Sequence, residues 1–286
     1  MQAWFDNFFF TYQALIYGVG VNGLLALSMY VVLAIGQLSL GQAAFMGIGA
    51  YVSALLTVKL NTPFPLALLA GMAAPAFAAA LIGVPTLRLS GVYLALATIG
   101  LGEVLRIFYL NSEIAGGALG LPGIPQQGGA WLIYLCLAAA LAFFMAIGRS
   151  RIGRAMEAMR EDETAAGVMG INVPLYRLAA LIGSAILAGL AGALSADVSS
   201  FIGPNEYGFD QAVTILSFAL LGGIGSPFGP VLGAVILTLL PEVLRPLHDF
   251  RFVVNGLIIV VAVLFMPRGL LSWRFRRLGS VAESRT

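Results

Sequence analysis

Charged side chains are scarce in this sequence and are concentrated in one segment. Eight of the 28 charged residues lie within the first fifteen positions of RSRIGRAMEAMREDETAAGVMGIN, residues 149–172. On a helical wheel this segment has two faces. The apolar face consists of Ile152, Ala155, Met156, Met159 and Ala166, and the charged face of Arg154, Glu157 and Glu161. The pattern favours a short amphipathic helix that docks on a partner, and the alternative is a solvated connector.

A second set of polar residues lies inside apolar stretches, where ionisable side chains are costly and mark functional candidates. Glu103 and Arg106 are three positions apart and can pair on one helix face, either as a structural clamp or beside a transport path. Neutral hydrogen-bonding groups in such stretches can serve a passing solute or hold neighbouring helices together. The candidate residues of a translocation path are Gln37, Ser39, Gln42, Tyr93, Thr98 and Glu103.

The sequence lacks the residues that catalysis or ATP binding would need. Lys59 is the only lysine and no G-x-x-x-x-G-K-[ST] motif occurs, so any ATPase must be a separate protein. The single histidine, His248, and the single cysteine, Cys136, provide neither a catalytic set nor a metal site. We therefore expect a chain without enzyme activity, metal or cofactor. The net charge of +2 is too small to indicate nucleic-acid binding.

Membrane-spanning helices must position these residues, because the composition excludes a water-soluble fold. Hydrophobic residues make up 60% of the 286 and charged residues only 10%, with a mean hydropathy of +0.96. A helix needs about 20 apolar residues to cross a hydrocarbon layer. Nine apolar runs are found, at 12–35, 41–58, 63–83, 91–110, 130–148, 174–196, 210–224, 228–245 and 252–267. They predict an all-α integral membrane protein, a polytopic bundle of about 8–10 transmembrane helices.

The distribution of basic residues orients the second half of the chain. Arginines are concentrated in the segment 149–160 and in the tail 268–286, and the positive-inside rule places both in the cytoplasm. Four predicted spans separate them, and an even number is what two segments on the same side of the membrane require. Counting back from the segment 149–160 through five spans places the N-terminus outside. One re-entrant segment would instead place the N-terminus inside, so the topology of the first half stays open.

Two glycine-rich stretches interrupt the predicted helices, GQLSLGQAAFMGIGAY at 36–51 and GGIGSPFGPVLGAV at 222–235. The helix breaks are assigned to Gly36, Gly41, Gly223 and Gly225. Matching breaks in two halves indicate an internal repeat with a transport path at its interface, and the alternative is ordinary helix ends. If Gly41 and Gly223 lie at close backbone contacts, leucine at either position is expected to abolish uptake.

The segment GRAMEAMREDETAAGVMGIN, with Glu163-x-Ala165-Ala166-x-x-x-Gly170, resembles the cytoplasmic loop of branched-chain amino acid ABC transporter permeases of the LivM type. The resemblance extends to GQLSLGQAAFMGIGAYVSALL at 36–56, PTLRLSGVYLALATIGLGEVLRIF at 85–108 and LLGGIGSPFGPVLGAVILTLLPEVLR at 220–245. Thr164 departs from the strict Glu-Ala-Ala order of the loop motif.

The resemblance implies a coupling helix that docks on an ATPase, with small residues in a groove and charges at its rim. The coupling residues implied are Arg154, Glu157, Glu161, Asp162, Glu163, Ala165, Ala166 and Gly170. Bulk at Ala166 or Gly170 is expected to separate ATP hydrolysis from uptake more than loss of charge does. The fold implied is one transmembrane domain over 1–286, built from two related halves, with the coupling loop at 149–173 and the tail at 268–286.

The partners implied are a second, homologous permease, two ATPase subunits that bind ATP and Mg, a periplasmic or surface solute-binding protein, and lipid of a bacterial-type inner membrane. The outer loop SSFIGPNEYGFD, with Glu206 and Asp210, is either a contact for the binding protein or a plain exposed turn. The expected cargo is a branched-chain amino acid or a related small polar solute. Urea and short-chain amides stay open as cargo, and an ion-coupled carrier or channel is the alternative of a different class.

Overall fold

The computed structural model describes residues 2–86, 89, 91–243 and 256, and side chains from Tyr12 onward. The α-helices of this part are α1 Gln2–Leu33, α2 Gln42–Leu60, α3 Phe64–Thr86, α4 Val92–Asn111, α5 Ala130–Gly148, α6 Arg151–Glu161, α7 Glu163–Val168, α8 Val173–Ser199, α9 Phe209–Gly222 and α10 Phe228–Val243. Strands β1 Leu121–Pro122 and β2 Phe201–Ile202 pair antiparallel. Short 3₁₀ turns occupy Glu113–Ala115, Gly117–Leu119 and Pro204–Tyr207.

The predicted membrane architecture is confirmed for the part of the chain that the structure describes. Six helices are long and apolar enough to cross a membrane, namely the section of α1 from Tyr12 onward, α2, α3, α4, α5 and α8. Helices α9 and α10 are also apolar but have 14 and 16 residues. Eight of the nine predicted runs are therefore helical. Of the ninth, 252–267, only residue 256 is described, and the tail 268–286 lies outside the described residues.

The helix ends gather at two opposite faces of the bundle. At one of them, here called the loop face, α6 meets the end of α1, the end of α5 and the break between α9 and α10. At the opposite face the β1–β2 pair joins the loop 112–129 to the end of α8, and Lys59 at the end of α2 donates a hydrogen bond to the Ile114 carbonyl at 3.0 Å. Gln13 in α1 lies near Ser199, so α1 begins at the opposite face. Within the described residues this arrangement agrees with the count through five spans.

Helix α8 forms the centre of the bundle and packs on α1, α2 and α3. Asn172 caps its first turn, where its side chain accepts a hydrogen bond from Leu175, and proline follows in that turn. Its glycines let backbones touch: a Cβ on Gly49 of α2 would collide with the backbone of Gly189, and one on Gly192 with the Met46 carbonyl. Small residues serve this purpose in membranes because lipid gives helices no hydrophobic drive to associate.

Helices α9 and α10 form a tight hairpin in which glycines again allow close backbone contact. A Cβ on Gly222 would collide with the carbonyl of Gly229, and one on Gly233 with the carbonyl of Phe218. Gly41 and Gly225, which were assigned from the sequence, have no such contacts. A Cβ on Gly41 would lie 3.3 Å from the Phe45 ring and 3.4 Å from the Thr98 side chain, and one on Gly225 would meet nothing within 4 Å. Close backbone contacts therefore occur at glycines that were not assigned, and also at two that were: a Cβ on Gly36 would lie close to the backbone of Arg160, and one on Gly229 would collide with the Gly223 carbonyl.

Candidate functional site

The charged segment forms two helices, not the single amphipathic helix expected. Ser150 caps α6, since its hydroxyl accepts hydrogen bonds from the N–H groups of Ile152 and Gly153 at 3.1 and 3.4 Å. Asp162 ends α6 with an extended backbone and caps α7, where one carboxylate oxygen accepts from Thr164 and Ala165 at 2.9 and 3.0 Å. A short acidic side chain competes for backbone N–H groups in this way, and so splits a helix that its apolar periodicity would continue.

The apolar face of this segment packs partly on the chain's own bundle. Met159 is 3% exposed and Ala166 is 4% exposed. Ala166 therefore points into its own chain and leaves no side-chain surface for a groove in a partner. The apolar side chains that face outward are Ile152, at the start of α6, and Val168 and Met169, which are 84% and 85% exposed. Val168 and Met169 are absent from the residues assigned to the coupling loop on the sequence alone.

The charged residues of the segment divide into outward-facing and internal ones. Arg154, Glu157 and Glu161 are exposed, as the wheel predicts. Glu163 instead forms an ion pair with Arg177 of α8, which holds α7 against the bundle. Asp162 is used in capping, so the two central acids of the motif stabilise the shape of the loop.

Arg160 connects α6 to both glycine-rich breaks. Its guanidinium lies 3.9 Å from the Glu157 carboxylate and 3.8 Å from that of Glu161, and it donates a hydrogen bond to the Ile224 carbonyl at 3.3 Å. A Cβ on Gly36 would lie 3.3 Å from the Cα of Arg160. Gly36 and Gly223 both have positive φ, +78° and +89°, which glycine adopts without strain. The breaks at 36 and at 223–225 therefore meet on the same side of α6.

Four of the candidate path residues lie in or beside the first break and are buried. The Thr98 hydroxyl accepts a hydrogen bond from the Leu40 N–H at 2.9 Å, and that of Ser39 accepts from Gly41 at 3.3 Å. The Gln42 amide donates to the Ser184 hydroxyl of α8 at 3.2 Å. Gln37 is 9% exposed. Three of these four side chains thus satisfy interrupted backbone or join helices, which is the structural alternative stated for them.

The other two path candidates lie elsewhere. Tyr93 is 74% exposed on the outside of α4. Glu103 binds Arg106 at 2.8 Å and accepts from the N–H of Phe209 at 3.2 Å, while Arg106 donates to Asn205 at 3.0 Å. The pair is therefore a clamp that holds the connection between α8 and α9. None of the six candidates lines the cavities described here.

A cavity with polar and apolar lining opens near the opposite face and has a volume of about 610 Å³. It lies between α1, the end of α8, the Pro204–Tyr207 turn and the start of α9. Polar side chains in its lining are Gln13, Asn22, Gln126, Ser195, Ser199, Glu206 and Gln211. Val21, Met46 and Val198 add apolar surface. A cavity of this size and mixed lining suits a small solute.

A sequence profile of the family described as branched-chain amino acid transport system / permease component matches residues 11–266. The chain belongs to this permease family. The high-affinity branched-chain amino acid transport system permease protein LivM is 34% identical over 293 residues, both in Salmonella typhimurium and in Escherichia coli K12, covering 90% of the permease and 67% of LivM. LivH of Escherichia coli K12 is 32% identical over 144 residues, covering 49% of the permease and 46% of LivH. No solved structure matches the permease.

Sequence reasoning missed the cavity of the permease because its lining is contributed by distant segments. Val21, Gln126, Val198 and Glu206 come together only through the packing of α1 and α8 and the pairing of β1 with β2. The one available signal was Glu206, an acid in the loop after a predicted span. Arg160 was likewise missed as a connecting residue, since its partner Ile224 is an apolar residue that contributes only its carbonyl oxygen.

Proposed function

We propose that the permease is the membrane subunit of an ATP-driven importer for branched-chain amino acids. Membership of the permease family and the similarity to LivM over 90% of the chain support this function and this cargo. The permease itself acts as a transport subunit and not as an enzyme. ATP and Mg belong to a separate ATPase, consistent with a sequence that lacks a phosphate-binding motif.

The observation that carries the proposal is the outward-facing surface of α6 and α7 at the loop face. Val168 and Met169 form an exposed apolar tip next to exposed Ala165, and Arg154, Glu157 and Glu161 are exposed on the preceding helix α6. We assign this surface to ATPase docking. Apolar side chains that are buried at an interface contribute most of its energy, whereas exposed ion pairs contribute about 0–1 kcal/mol each. Gly170, with a φ of +88°, lets the chain turn back from the tip into α8.

The complete transporter would contain a second, homologous permease, two ATPase subunits and an external solute-binding protein. In this arrangement residues 1–286 form one transmembrane domain in a bacterial-type cytoplasmic membrane. The loop face, with the coupling loop 149–173, lies in the cytoplasm together with the tail 268–286, and the cavity faces the binding protein. The arginines of the segment 149–160 support this orientation.

The proposal is tested with the complete transporter reconstituted in vesicles. Labelled leucine should accumulate only with ATP and the binding protein, and uptake should stop when the P-loop lysine of the ATPase is replaced. The purified permease alone should hydrolyse no ATP. Labelled urea and acetamide serve as competing cargo. Leucine uptake that needs no ATP and collapses with an ion gradient would instead identify an ion-coupled carrier.

A further inference from the structure

We infer that the 610 Å³ cavity at the opposite face is a binding site for the amino acid itself, with the Glu206 carboxylate as the acceptor of its ammonium group. This inference rests on the proposed function and adds to it a site and a recognition chemistry within the permease. The candidate path residues that the sequence indicated lie outside this cavity.

Unlike Glu103 and Glu163, Glu206 has no cationic partner in the described part of the chain. Glu103 is paired with Arg106 and Glu163 with Arg177. Asp197, near the same face, accepts hydrogen bonds from the backbone N–H groups of Gln127 and Gly128 at 2.9 and 2.8 Å. Among the described residues, no lysine or arginine forms an ion pair with Glu206, and none lines the cavity. Its carboxylate is thus available to a cation from outside the chain.

The surroundings of Glu206 favour a bound cation. Burial raises the pKa of its carboxyl, and a hydrogen bond from the Gly203 backbone lowers it by less. Glu206 is nevertheless exposed, so its carboxylate is accessible from the cavity, and an ammonium group beside it would supply the cationic partner that the described residues do not. Tyr51 and Tyr207 lie close to it and Tyr17 lines the same cavity, and these tyrosines add no positive charge.

The remaining lining fits the rest of an aliphatic amino acid. The side-chain amide of Gln211 can donate hydrogen bonds to a carboxylate, and so can the amide hydrogen of Gln126 that is not donated to the Val198 carbonyl. Val21, Met46 and Val198 offer apolar contact to a branched side chain. Met46 is 6% exposed and its carbonyl lies against Gly192, so the cavity reaches the crossing of α2 and α8. A solute bound at this crossing would therefore lie inside the bundle and not on the surface of the opposite face.

The site is tested first by thiol protection in the complete transporter, on a Cys136→Ala background that removes the sole cysteine. Ser199→Cys should react with a membrane-impermeant maleimide from the opposite face, and saturating leucine with ATP turnover blocked should slow that reaction at least fivefold. The deaminated analogue 4-methylpentanoate should not protect. Leu119→Cys, 87% exposed near the same face and outside the cavity lining, is the control that leucine should leave unprotected.

The second arm measures uptake. Glu206→Gln should lower leucine uptake at least tenfold and abolish protection of Ser199→Cys, while Glu113→Gln, an exposed acid of the same face, should change uptake less than twofold. Vesicles that import leucine while Ser199→Cys reacts equally with and without leucine would overturn this site and leave the proposed function standing. Protection by sodium alone, or by 4-methylpentanoate, would also overturn it. Failure of the unmodified transporter to import any amino acid would instead contradict the proposed function.

Discussion

The guanidinium of Arg160 donates a hydrogen bond to the Ile224 carbonyl at 3.3 Å, so a side chain of α6 is bonded to the break between α9 and α10. The backbone at Arg160 also lies against Gly36, at the end of α1. Glu157 and Glu161 flank the guanidinium from the exposed side. A displacement of α6 would therefore act on two helix pairs, α1–α2 and α9–α10, through one residue.

We predict that Arg160→Ala lowers ATP-driven uptake about tenfold while ATPase co-purification is retained. A hydrogen bond to a charged group contributes about 1.5–3 kcal/mol, and its loss would free the break from α6. Arg154→Ala is the matched control, because Arg154 is an exposed arginine of the same helix and its loss should cause only a partial decrease. Normal uptake by Arg160→Ala would show that the contact between Arg160 and Ile224 does not couple ATP hydrolysis to uptake.

A substitution in the apolar tip of the loop is expected to impair docking of the ATPase without impairing folding of the permease. Met169→Asp should reduce ATPase co-purification several-fold with normal membrane insertion, since Met169 is 85% exposed and touches little of its own chain. Leu119→Asp, at an 87% exposed position near the opposite face, should leave co-purification unchanged. If both variants bind the ATPase normally, the segment is a solvated connector.

Bulk at Ala166 is expected to act differently from what the sequence motif implies. Because Ala166 is 4% exposed inside the chain, Ala166→Trp should overpack the contact between α7 and the bundle and destabilise the permease by about 1–3 kcal/mol. The measurement is thermal aggregation in detergent together with the yield of inserted protein. A stable Ala166→Trp variant that has lost only ATPase binding would show instead that Ala166 belongs to the docking surface.

Glycine at position 223 is expected to matter through its backbone. Gly223 has a φ of +89°, so Gly223→Ala should be strained by about 1–3 kcal/mol and should lower both thermal stability and uptake. Gly223→Leu should have at least the same effect. Gly225→Ala, two residues along the same break, meets nothing within 4 Å and should behave like the unmodified protein. Equal behaviour of the two alanine variants would contradict a conformational role for this break.

Most of the helices could be predicted because the hydrocarbon layer fixes the length of apolar sequence that crosses it. The split at Asp162 could not, since a helical wheel assumes an unbroken helix and the wheel placed Ala166 beside Met159 on that assumption. The hydrogen-bond partners of the buried polar residues could not be predicted for a related reason. Whether Thr98 faces a solute or the Leu40 N–H depends on how the break at 36–41 packs, which no local pattern encodes.

The pH dependence of uptake is expected to report the charge of Glu206. Burial raises the pKa of this carboxyl, so on acidification it becomes neutral at a higher pH than an ordinary glutamate, whose pKa is about 4.3. Tyr51 and Tyr207, which face it, stay uncharged in the range concerned. Lowering the external pH into the range in which this carboxyl takes up its proton should therefore weaken ammonium binding and reduce leucine uptake.

The effect of pH on the stability of the permease distinguishes this loss of uptake from acid unfolding. A carboxyl whose pKa is higher in the folded than in the unfolded state binds its proton more tightly when folded, so its contribution to stability increases as the pH falls through the folded pKa. Uptake should then decline while the melting temperature of the permease holds or rises. The residual uptake of Glu206→Gln should be flat over the same range, whereas Glu113→Gln should follow the unmodified transporter. A Glu206→Gln profile as steep as that of the unmodified transporter would place the titrating group elsewhere.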